Sequence, residues 1–412
     1  MVIENYKNFL KKHNLPDTFC LYPWMHIDFD ESGKILSCCR GKHNYGDWKS
    51  KKLDIDEWSS NISKLKQSMM SGVWDSNCID CKKKESVGNQ SLRHDIAIHA
   101  MRHIGLETIE NEIIPNIKED SQSIKFVELR PSNICNLQCI HCNDNSSSKW
   151  ASFFKNNPEF LENNKINPTS NKFLSKSGYE NIKDFIGELD DLSTIQFSGG
   201  EPLYDKDALN YIKAIPNPEN VHISYITNGQ TLPSDEMISE WKSFKEIHLS
   251  ISVDAFHDQY DYFRYPGKWD ILISNIDILK SISNITVHIP INIFTLFSIG
   301  GFIDVCENNN IKVHYSTVHA PEHLSITVLP RELKDKLNDT FKSRIGKIRD
   351  NDIKRSFEQL YQYINNYMYS SDDFESQKEN LITYTSQLDI YRDLTLEHCC
   401  PELFNFLKET NK

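Results

Sequence analysis

The feature that most constrains the fold of this chain is an alternation of short apolar, β-branched runs with helical stretches between residues 119 and 330. Six runs are predicted to be strands: residues 125–130, 194–198, 221–227, 246–253, 285–294 and 312–318. Helices are predicted between them, at about residues 205–214, 234–243, 269–282 and 299–308. Because consecutive strand–helix–strand units are joined by right-handed crossovers, this pattern predicts a parallel α/β sheet.

Three regions differ in composition. Residues 1–118 are rich in cysteine and tryptophan and contain few long periodic segments, which favours a small metal-binding domain. Residues 119–330 carry the alternation, and residues 331–412 have a helical pattern. Within the middle region, the Asn- and Pro-rich stretch 156–176 is predicted to be a long loop. The expected organisation is therefore an α/β domain flanked by two smaller regions.

Composition also bounds the class of protein. The 412 residues carry a net charge of −12, which disfavours nucleic acid as a partner because its phosphates would be repelled. The opening stretch has no apolar core of a signal peptide, and no run approaches the ~18 apolar residues of a membrane span. The sequence therefore predicts a cytoplasmic protein with no membrane partner.

Eleven cysteines are many for a chain in a reducing compartment, and most of them lie in short-spaced groups, which favours metal binding over disulfides. Cys135, Cys139 and Cys142 directly follow the first predicted strand. Three thiolates on one loop can each take one iron of a cubane cluster and leave the fourth iron open. A structural zinc site is the alternative, but it would need a fourth ligand, and His141 is poorly placed beside Cys142.

Glycine and polar residues follow the next three predicted strands. Gly199, Gly200 and Glu201 follow the second strand, Asn228 the third and Asp254 the fourth. Because chemistry in parallel sheets gathers at the carboxyl ends of strands, these residues are predicted to share one site with the cysteine loop. The structural alternatives are a plain turn at the glycines and at Asn228, and a helix cap at Asp254.

The spacing Cys-x3-Cys-x2-Cys after a first strand resembles the signature of the radical S-adenosylmethionine (SAM) superfamily. Residues 197–202 (FSGGEP) resemble the GGEP motif of that family, and residues 227–229 and 250–254 resemble the segments that follow on its next two strands. The match covers about residues 119–320. It implies a partial (β/α)6 TIM-like barrel with a small N-terminal Cys-rich metal domain and a helical C-terminal region.

The resemblance also implies the chemistry. A 4Fe–4S cluster would be held by Cys135, Cys139 and Cys142, with SAM chelating the open iron through the amino and carboxylate groups of its methionine part. An electron from the reduced cluster would cleave SAM to methionine and a 5′-deoxyadenosyl radical, which would remove a hydrogen atom from the substrate. A flavodoxin- or ferredoxin-like protein is the implied electron donor.

Further site residues are implied on the same basis. Gly199 and Gly200 would let the backbone approach the methionine ammonium group because they lack a Cβ atom. Glu201 would pair with that region or fix the loop.

Four more residues complete the implied SAM site. Ser252 and Asp254 would hydrogen-bond the ribose hydroxyls, and Asn228 lies in the matching third segment. His141 stands where the family commonly has an aromatic residue that packs on the adenine.

A second cysteine set lies near the N-terminus. A hairpin turn predicted at residues 30–34 would bring Cys20 and Cys38 together on adjacent strands, and Cys78 and Cys81 form a Cys-x2-Cys knuckle. Four such thiolates suit an iron–sulfur cluster or a tetrahedral zinc, and spacing does not separate the two. The set resembles the auxiliary-cluster domains called SPASM and twitch, which usually follow the barrel, and it implies an auxiliary 4Fe–4S cluster. Cys39 is interpreted as a bystander.

Some features are left open. His398, Cys399 and Cys400 are interpreted as incidental or structural, with a role near the active site as the alternative. Arg93 and Arg264 are interpreted as surface residues, with a substrate-facing role as the alternative.

The leading functional hypothesis is a radical SAM enzyme that oxidises or couples a C–H position on a peptide or protein side chain, or on a sugar- or nucleotide-like metabolite. One alternative is a non-catalytic or regulatory iron–sulfur protein on the same barrel. Another is an RNA-modifying radical SAM enzyme, which the acidic composition disfavours.

Overall fold

A computed structural model of the protein describes residues 2–86, 90–119, 121–168, 176–371 and 373–409. These residues form two compact units. The first unit comprises the described residues of Met1–Ser132, Lys172–Tyr225 and Ser234–Ile247, and the second those of Asn133–Asn171, Ile226–Pro233 and His248–Lys412. The Cys-rich amino-terminal segment therefore shares one unit with strands from the middle of the chain.

The strands of the first unit lie in the order β2-β1-β3-β4-β5. They are β1 (His26–Phe29), β2 (Ile35–Leu36), β3 (Phe126–Leu129), β4 (Thr194–Phe197) and β5 (His222–Thr227), whose last two residues belong to the second unit. The β1–β2 pair is antiparallel, which confirms the predicted hairpin, and the other pairs are parallel. The amino-terminal segment thus adds a parallel strand, β1, beside β3.

Two rows of side chains run across the parallel strands β1, β3, β4 and β5. One row is fully buried and apolar: Ile27, Val127, Ile195 and Ile223. The neighbouring row is polar: Asp28, Glu128, Gln196 and Ser224. Since successive side chains of a strand point to opposite faces, this sheet has one apolar and one polar face, whereas parallel sheets are usually apolar on both.

The second unit contains three parallel strands. They are β6 (Glu246–Ser252), which lies in this unit from His248 onward, β7 (Asn284–Ile291) and β8 (Val313–Thr317). The same alternation appears, because Leu249, Ile251 and Ile289 are fully buried while histidines and hydroxyl residues occupy the other face. The six predicted strands are therefore present as β3–β8, in an α/β fold with parallel strands and many helices.

Each unit also contains helices. In the first unit they are Val2–Lys12, Tyr22–Met25, Ile55–Asn61, Ser63–Met70, Ile79–Ser86, Leu92–Ala100, Leu106–Thr108, Ile114–Glu119, Lys176–Ile186, Ala208–Ala214 and Asp235–Trp241. In the second unit they are Ser148–Asn156, Pro158–Asn163, His257–Phe263, Trp269–Ile282, Ile293–Asn309, Arg331–Ile345, Asn351–Met368, Phe374–Tyr391, Leu396–Cys399 and Pro401–Glu409. Short 3₁₀ turns (Ser76–Cys78, Pro218–Asn220, Glu322–Leu324 and Ile326–Val328) and π-helical turns (Met101–Gly105 and Ile109–Ile113) complete the elements. No helix among the described residues has the length and apolar character needed to cross a membrane.

Two predicted element bounds were wrong for identifiable reasons. The run 285–294 is a strand only to Ile291, because the Asn292 side chain accepts the N–H groups of Phe294 and Thr295 and starts a helix there. The stretch 156–176 was predicted to be a loop, yet Pro158–Asn163 is helical, with proline at the first position where its missing N–H costs nothing. Residues 169–175 of that stretch lie outside the described residues.

Candidate functional site

The loop that carries Cys135, Cys139 and Cys142 lies in the second unit. Cys135 and Cys139 are each 9% exposed and pack with Leu137, and the half-buried Cys142 lies against them. The three thiols thus lie on one small, largely buried patch. A metal cluster held here would be shielded from solvent on the protein side.

The backbone of this loop is anchored residue by residue. Its carbonyl groups from Leu137 to Ile140 each accept a hydrogen bond from a side chain: Leu137 from the Ser147 hydroxyl (2.6 Å), Gln138 from Arg392 Nη2 (2.7 Å), Cys139 from Trp150 Nε1 (2.9 Å) and Ile140 from the Tyr384 hydroxyl (2.8 Å). Buried carbonyl groups need hydrogen-bond partners, and here other side chains supply them. These side chains fix the path of the loop, so the thiols are not needed for that purpose.

The N–H groups of the loop are paired as well. Gln138 donates to the Tyr265 carbonyl at 2.6 Å and Ile140 to the Phe263 carbonyl at 2.9 Å, so the loop lies along residues 263–265. The Cys135 N–H donates to the Ser148 hydroxyl at 3.1 Å. Hydrogen bonds within the protein therefore hold the loop on its N–H side as well as on its carbonyl side.

Two arginines partly offset the effect of burial on the cysteine loop. Burial raises the pKa of Cys139 and the Asp254 carboxylate adds to this rise, while the guanidinium groups of Arg264 and Arg392 act to lower the pKa. The Leu137 N–H lies 3.4 Å from Cys135 Sγ and donates toward it. Positive charge and N–H donors beside sulfur stabilise a thiolate ligand, so these residues fit a cluster bound through three thiolates.

Asp254 is the centre of a buried ionic group in the second unit. It is fully buried and accepts a charge-assisted hydrogen bond from Arg264 Nε, and its Oδ1 lies 3.3 Å from Asn292 Nδ2. Burial opposes the charge on Arg264, yet the facing carboxylate of Asp254 raises its pKa. Arg264 is 4% exposed, so its interpretation as a surface residue was wrong. The helix that follows begins after Phe256, so Asp254 does not cap it.

His141 lies between Asp254 and an aromatic ring. Its Nδ1 is 3.6 Å from Asp254 Oδ1, and its ring stacks on Phe263 with 5.4 Å between the ring centroids. Burial lowers its pKa, against the opposing effect of Asp254. The imidazole is therefore held as a flat, neutral ring next to Cys142.

Asn228 links a turn to the cysteine loop. Its side-chain oxygen accepts the Gln230 N–H at 2.9 Å, and its Nδ2 donates to the Asn136 side chain at 2.8 Å. The turn role and a contact with the loop are thus both present. Ser252, at the end of β6, is 9% exposed and lies beside His288 of β7 in the sheet register.

The Gly199-Gly200-Glu201 turn belongs to the first unit. Gly199 has φ = +105°, and a Cβ atom there would lie 3.0 Å from the Ser132 carbonyl oxygen. Any residue other than glycine would therefore be strained at this position. The Gly200 N–H donates to that same carbonyl at 3.0 Å. Glu201 is 1% exposed and accepts the Leu203 N–H at 3.0 Å, so its carboxylate fixes its own turn.

The four predicted amino-terminal cysteines line one cavity of the first unit. Cys20, Cys38, Cys78 and Cys81 all contribute to its wall, and its empty volume is about 490 Å³ with the open mouth included. Cys20 precedes β1 and Cys38 follows β2, so the hairpin carries them at its base rather than on its strands. Cys39 instead faces Cys38 and the carboxylate of Glu128.

Asn77 joins two of the cysteine segments. Its Oδ1 accepts the N–H groups of Lys42 (2.7 Å) and His43 (3.0 Å), and its Nδ2 donates to the Ser37 hydroxyl at 2.9 Å. Asn77 directly precedes Cys78 and is 6% exposed. This one side chain therefore holds the segment of Cys38 against the segment of Cys78.

Arg93 connects the segment of Cys20 to the helix that carries Cys81. Its guanidinium donates to the Phe19 carbonyl at 2.7 Å, next to Cys20, and pairs with both oxygens of Glu85 on the helix Ile79–Ser86 that carries Cys81. Burial raises the pKa of the Cys81 thiol, while the Arg93 backbone N–H acts to lower it. Arg93 is 5% exposed, so its interpretation as a surface residue was also wrong.

Sequence reasoning missed Tyr384, Arg392 and Asn77 as site residues. Tyr384 and Arg392 lie more than two hundred residues from the loop they contact, and no local spacing signals such a contact. Asn77 is adjacent to Cys78, and the preference of Asn for turns was the only available signal.

The carboxyl-terminal thiols are buried and are not joined in a disulfide. Cys399 and Cys400 are 8% and 1% exposed, and burial raises the pKa of each to about 12. His398 is exposed and its Nε2 lies 2.8 Å from Asp258. These contacts agree with the structural interpretation of the three residues. Cys306, also 1% exposed, has its pKa raised to about 12 by burial.

Among the residues that the structure describes, no group of three or more His, Cys, Asp or Glu side chains is arranged to hold a metal ion. A metal at either cysteine set is accordingly a proposal.

Comparison with known proteins identifies one domain. Residues 129–296 match the Radical SAM superfamily, so the chain contains a radical SAM domain. A GTP 3′,8-cyclase of Haemophilus influenzae is 25% identical over 155 residues, 37% of this chain and 40% of that protein. An uncharacterised protein of Methanocaldococcus jannaschii is 29% identical over 134 residues, 32% of this chain and 39% of that protein. The chain spans about two fifths of the length of these relatives.

Solved structures resemble the chain weakly. SuiB of Streptococcus suis bound to its precursor peptide SuiA gives a TM-score of 0.38 at 14% identity, covering 79% of this chain and 70% of that one. The protein anSMEcpe with bound AdoMet gives a TM-score of 0.37 at 12% identity, covering 62% of this chain and 66% of that one.

Proposed function

We propose that the protein is a radical SAM enzyme that abstracts a hydrogen atom from a C–H position of its substrate. The observation that carries the proposal is the anchored loop with Cys135, Cys139 and Cys142, inside the region that matches the superfamily. When bound, the cluster and SAM supply electron transfer and a 5′-deoxyadenosyl radical. A flavodoxin- or ferredoxin-like protein is proposed as the donor of the electron.

The residues of the chain have separate tasks in this proposal. Cys135, Cys139 and Cys142 hold the cluster through thiolates, and Arg264 and Arg392 offset part of the negative charge. The carbonyl and N–H partners of the loop keep it in place while the charge of the site changes. A loop that is fixed before binding loses less conformational entropy when the cluster binds.

The proposed SAM contacts are those implied by the sequence. Gly199, Gly200 and Glu201 are assigned to the methionine part of SAM, and all three lie on one turn, in which Gly199 has φ = +105°.

Asn228 and Ser252, with Asp254 and His141, are assigned to the nucleoside part. His141 offers a flat, neutral ring, which suits stacking against adenine. Asp254 also holds Arg264, so its loss would disturb both tasks.

We further propose that the amino-terminal cavity binds an auxiliary 4Fe–4S cluster through Cys20, Cys38, Cys78 and Cys81. The common cavity of all four thiols supports a metal site, and a tetrahedral zinc is the alternative for the same ligands. An auxiliary cluster would let the enzyme remove an electron from a product radical, which fits oxidation or coupling of a C–H position. A peptide or protein side chain, or a sugar- or nucleotide-like metabolite, is the proposed class of substrate.

Anaerobic reconstitution with iron and sulfide tests the proposal. The reconstituted protein is incubated with SAM and dithionite, and 5′-deoxyadenosine is measured by chromatography. Its formation is expected even without substrate, because uncoupled cleavage needs only the cluster and SAM. An intact cluster without any SAM cleavage would instead favour the regulatory iron–sulfur protein.

A further inference from the structure

Two of the side chains that donate hydrogen bonds to the cysteine loop come from the helix Phe374–Tyr391 and the residue that follows it. Tyr384 and Arg392 lie outside residues 129–296, the region that matches the superfamily. Both belong to the same compact unit as the loop. The carboxyl-terminal region, to which the sequence assigned only helical structure, thus contacts the proposed cluster loop directly.

Tyr384 acts on the carbonyl between Cys139 and His141. Its hydroxyl donates to the Ile140 carbonyl at 2.8 Å, and the residue is 4% exposed. Burial raises its pKa, so the hydroxyl remains a donor. Its ring is held between Phe160, with 5.9 Å between centroids, and His323, with 4.8 Å. The Tyr384 hydroxyl therefore stays protonated, and the packing of the ring fixes the direction in which it donates.

Arg392 acts on the preceding part of the loop. One guanidinium nitrogen donates to the Gln138 carbonyl at 2.7 Å and another to the Tyr262 carbonyl. The guanidinium also lies over the rings of Tyr262 (5.5 Å) and Tyr265 (5.3 Å). One planar group therefore joins the cysteine loop to residues 262–265.

The same segment receives the N–H groups of the loop. Gln138 and Ile140 donate to the carbonyls of Tyr265 and Phe263, so each of these two loop residues is held on both its N–H and its carbonyl side. Gln138 and Ile140 flank Cys139. A displacement of this cysteine would have to break hydrogen bonds on both sides of it.

We infer that Tyr384 and Arg392 are positioning residues that clamp the cysteine loop in its ligand-bearing conformation. The inference rests on the proposed function only for the purpose of the clamp, since the contacts that form the clamp join residues of the chain itself. The carboxyl-terminal region then has a defined task, which is to close over the backbone of the cluster loop from outside the superfamily domain.

Hydrogen exchange of the metal-free protein, followed by mass spectrometry of peptides that cover residues 135–142, tests the clamp directly. Tyr384→Phe removes one hydroxyl group and keeps the ring, so exchange at Gln138 and Ile140 should become faster by on the order of tenfold. Arg392→Gln should accelerate it further, because two carbonyls lose their donor. Arg392→Lys keeps the charge but not the two-pronged geometry, and should fall between Arg392→Gln and the parent protein.

Matched controls separate the clamp from general destabilisation. Tyr225→Phe alters an equally buried tyrosine of the other unit, whose hydroxyl pairs with Trp241 Nε1. Arg331→Gln alters an exposed arginine of the carboxyl-terminal region. Both should leave exchange in residues 135–142 unchanged. If Tyr384→Phe and Arg392→Lys behave like these controls, the clamp does not exist.

A second measurement distinguishes failure of the clamp from failure of the proposed function. After reconstitution, the loss of iron to a chelator should be several-fold faster in Tyr384→Phe and Arg392→Gln than in the parent and control proteins. A parent protein that takes up no iron at the loop would overturn the proposed function, while the exchange experiment would still decide on the clamp. Equal rates of iron loss in all variants would overturn the clamp as a positioning device.

Discussion

The two cysteine-bearing regions of this protein are built in opposite ways. Cys135, Cys139 and Cys142 sit on one continuous loop, and hydrogen bonds to its backbone fix that loop. The amino-terminal cysteines instead come from separate segments that side-chain hydrogen bonds draw around a cavity. A local loop needs partners for its backbone, whereas a site assembled from distant segments needs residues that join those segments.

A buried arginine–carboxylate pair accompanies each region. In the second unit, Arg264 pairs with Asp254, and both are almost completely buried. In the first unit, Arg93 pairs with Glu85, whose side chain is 17% exposed. The Arg264–Asp254 pair lies inside the second unit, next to the loop residue His141. The Arg93–Glu85 pair instead links the segment before Cys20 to a helix. The same chemistry therefore stabilises a rigid scaffold in one region and a junction in the other.

The largest expected effect tests whether the loop alone is responsible for SAM cleavage. Replacing Cys135, Cys139 and Cys142 together by Ala should lower the iron content of reconstituted protein from about eight to about four per chain. Formation of 5′-deoxyadenosine should fall to the level of a protein-free blank. Iron, zinc and 5′-deoxyadenosine are measured on the same samples. A triple variant that kept zinc and no iron would show that the amino-terminal site binds zinc.

The reciprocal change tests the cavity. Cys78→Ala combined with Cys81→Ala should remove the metal of the amino-terminal site, while 5′-deoxyadenosine formation without substrate should persist, because the loop keeps all three of its ligands. The metal-loaded parent should also unfold at a higher temperature than this variant, since metal binding couples to folding. Loss of SAM cleavage in a folded variant would contradict the separation of the two regions.

The two buried ion pairs should differ in their contribution to stability. Asp254→Asn leaves Arg264 as an uncompensated buried charge and should lower the free energy of unfolding by about 3–5 kcal/mol. Glu85→Gln should cost less, about 1–3 kcal/mol, because its site is more open to solvent and the amide can still accept a hydrogen bond.

Urea unfolding of the metal-free protein measures both changes. Asp258→Asn is the surface control, because its pair with His398 is exposed, and it should cost less than about 1 kcal/mol. A loss for Asp254→Asn no larger than that of this control would mean that the buried pair is not part of the scaffold.

The smallest effect is expected at Cys39. Its thiol faces Cys38 and Glu128 rather than the cavity, so Cys39→Ala should leave the metal content unchanged, whereas Cys38→Ala should reduce it. Metal analysis of the two neighbouring variants gives the comparison. Equal metal loss in both would make Cys39 a ligand.

The sequence by itself determined the strand–helix alternation, the strands β3–β8 and the local cysteine loop. These features follow from short-range rules, because side-chain periodicity and ligand spacing are properties of neighbouring residues. It also located the glycine turn, whose positive φ at Gly199 is a local requirement. The end of β7 was misplaced because apolar residues continue past it, and only the Asn292 cap ends the strand.

The tertiary structure alone decided which residues hold these local features in place. The pairing of β1 with β3, the assembly of Cys20, Cys38, Cys78 and Cys81 around one cavity, and the contacts of Tyr384 and Arg392 join residues far apart in the chain. Arg93 and Arg264 were interpreted as surface residues, although both are buried against carboxylates. A buried backbone carbonyl or charge requires a partner, but that partner can come from any part of the chain. Sequence spacing therefore identifies the group that needs a partner, and only the fold identifies the partner.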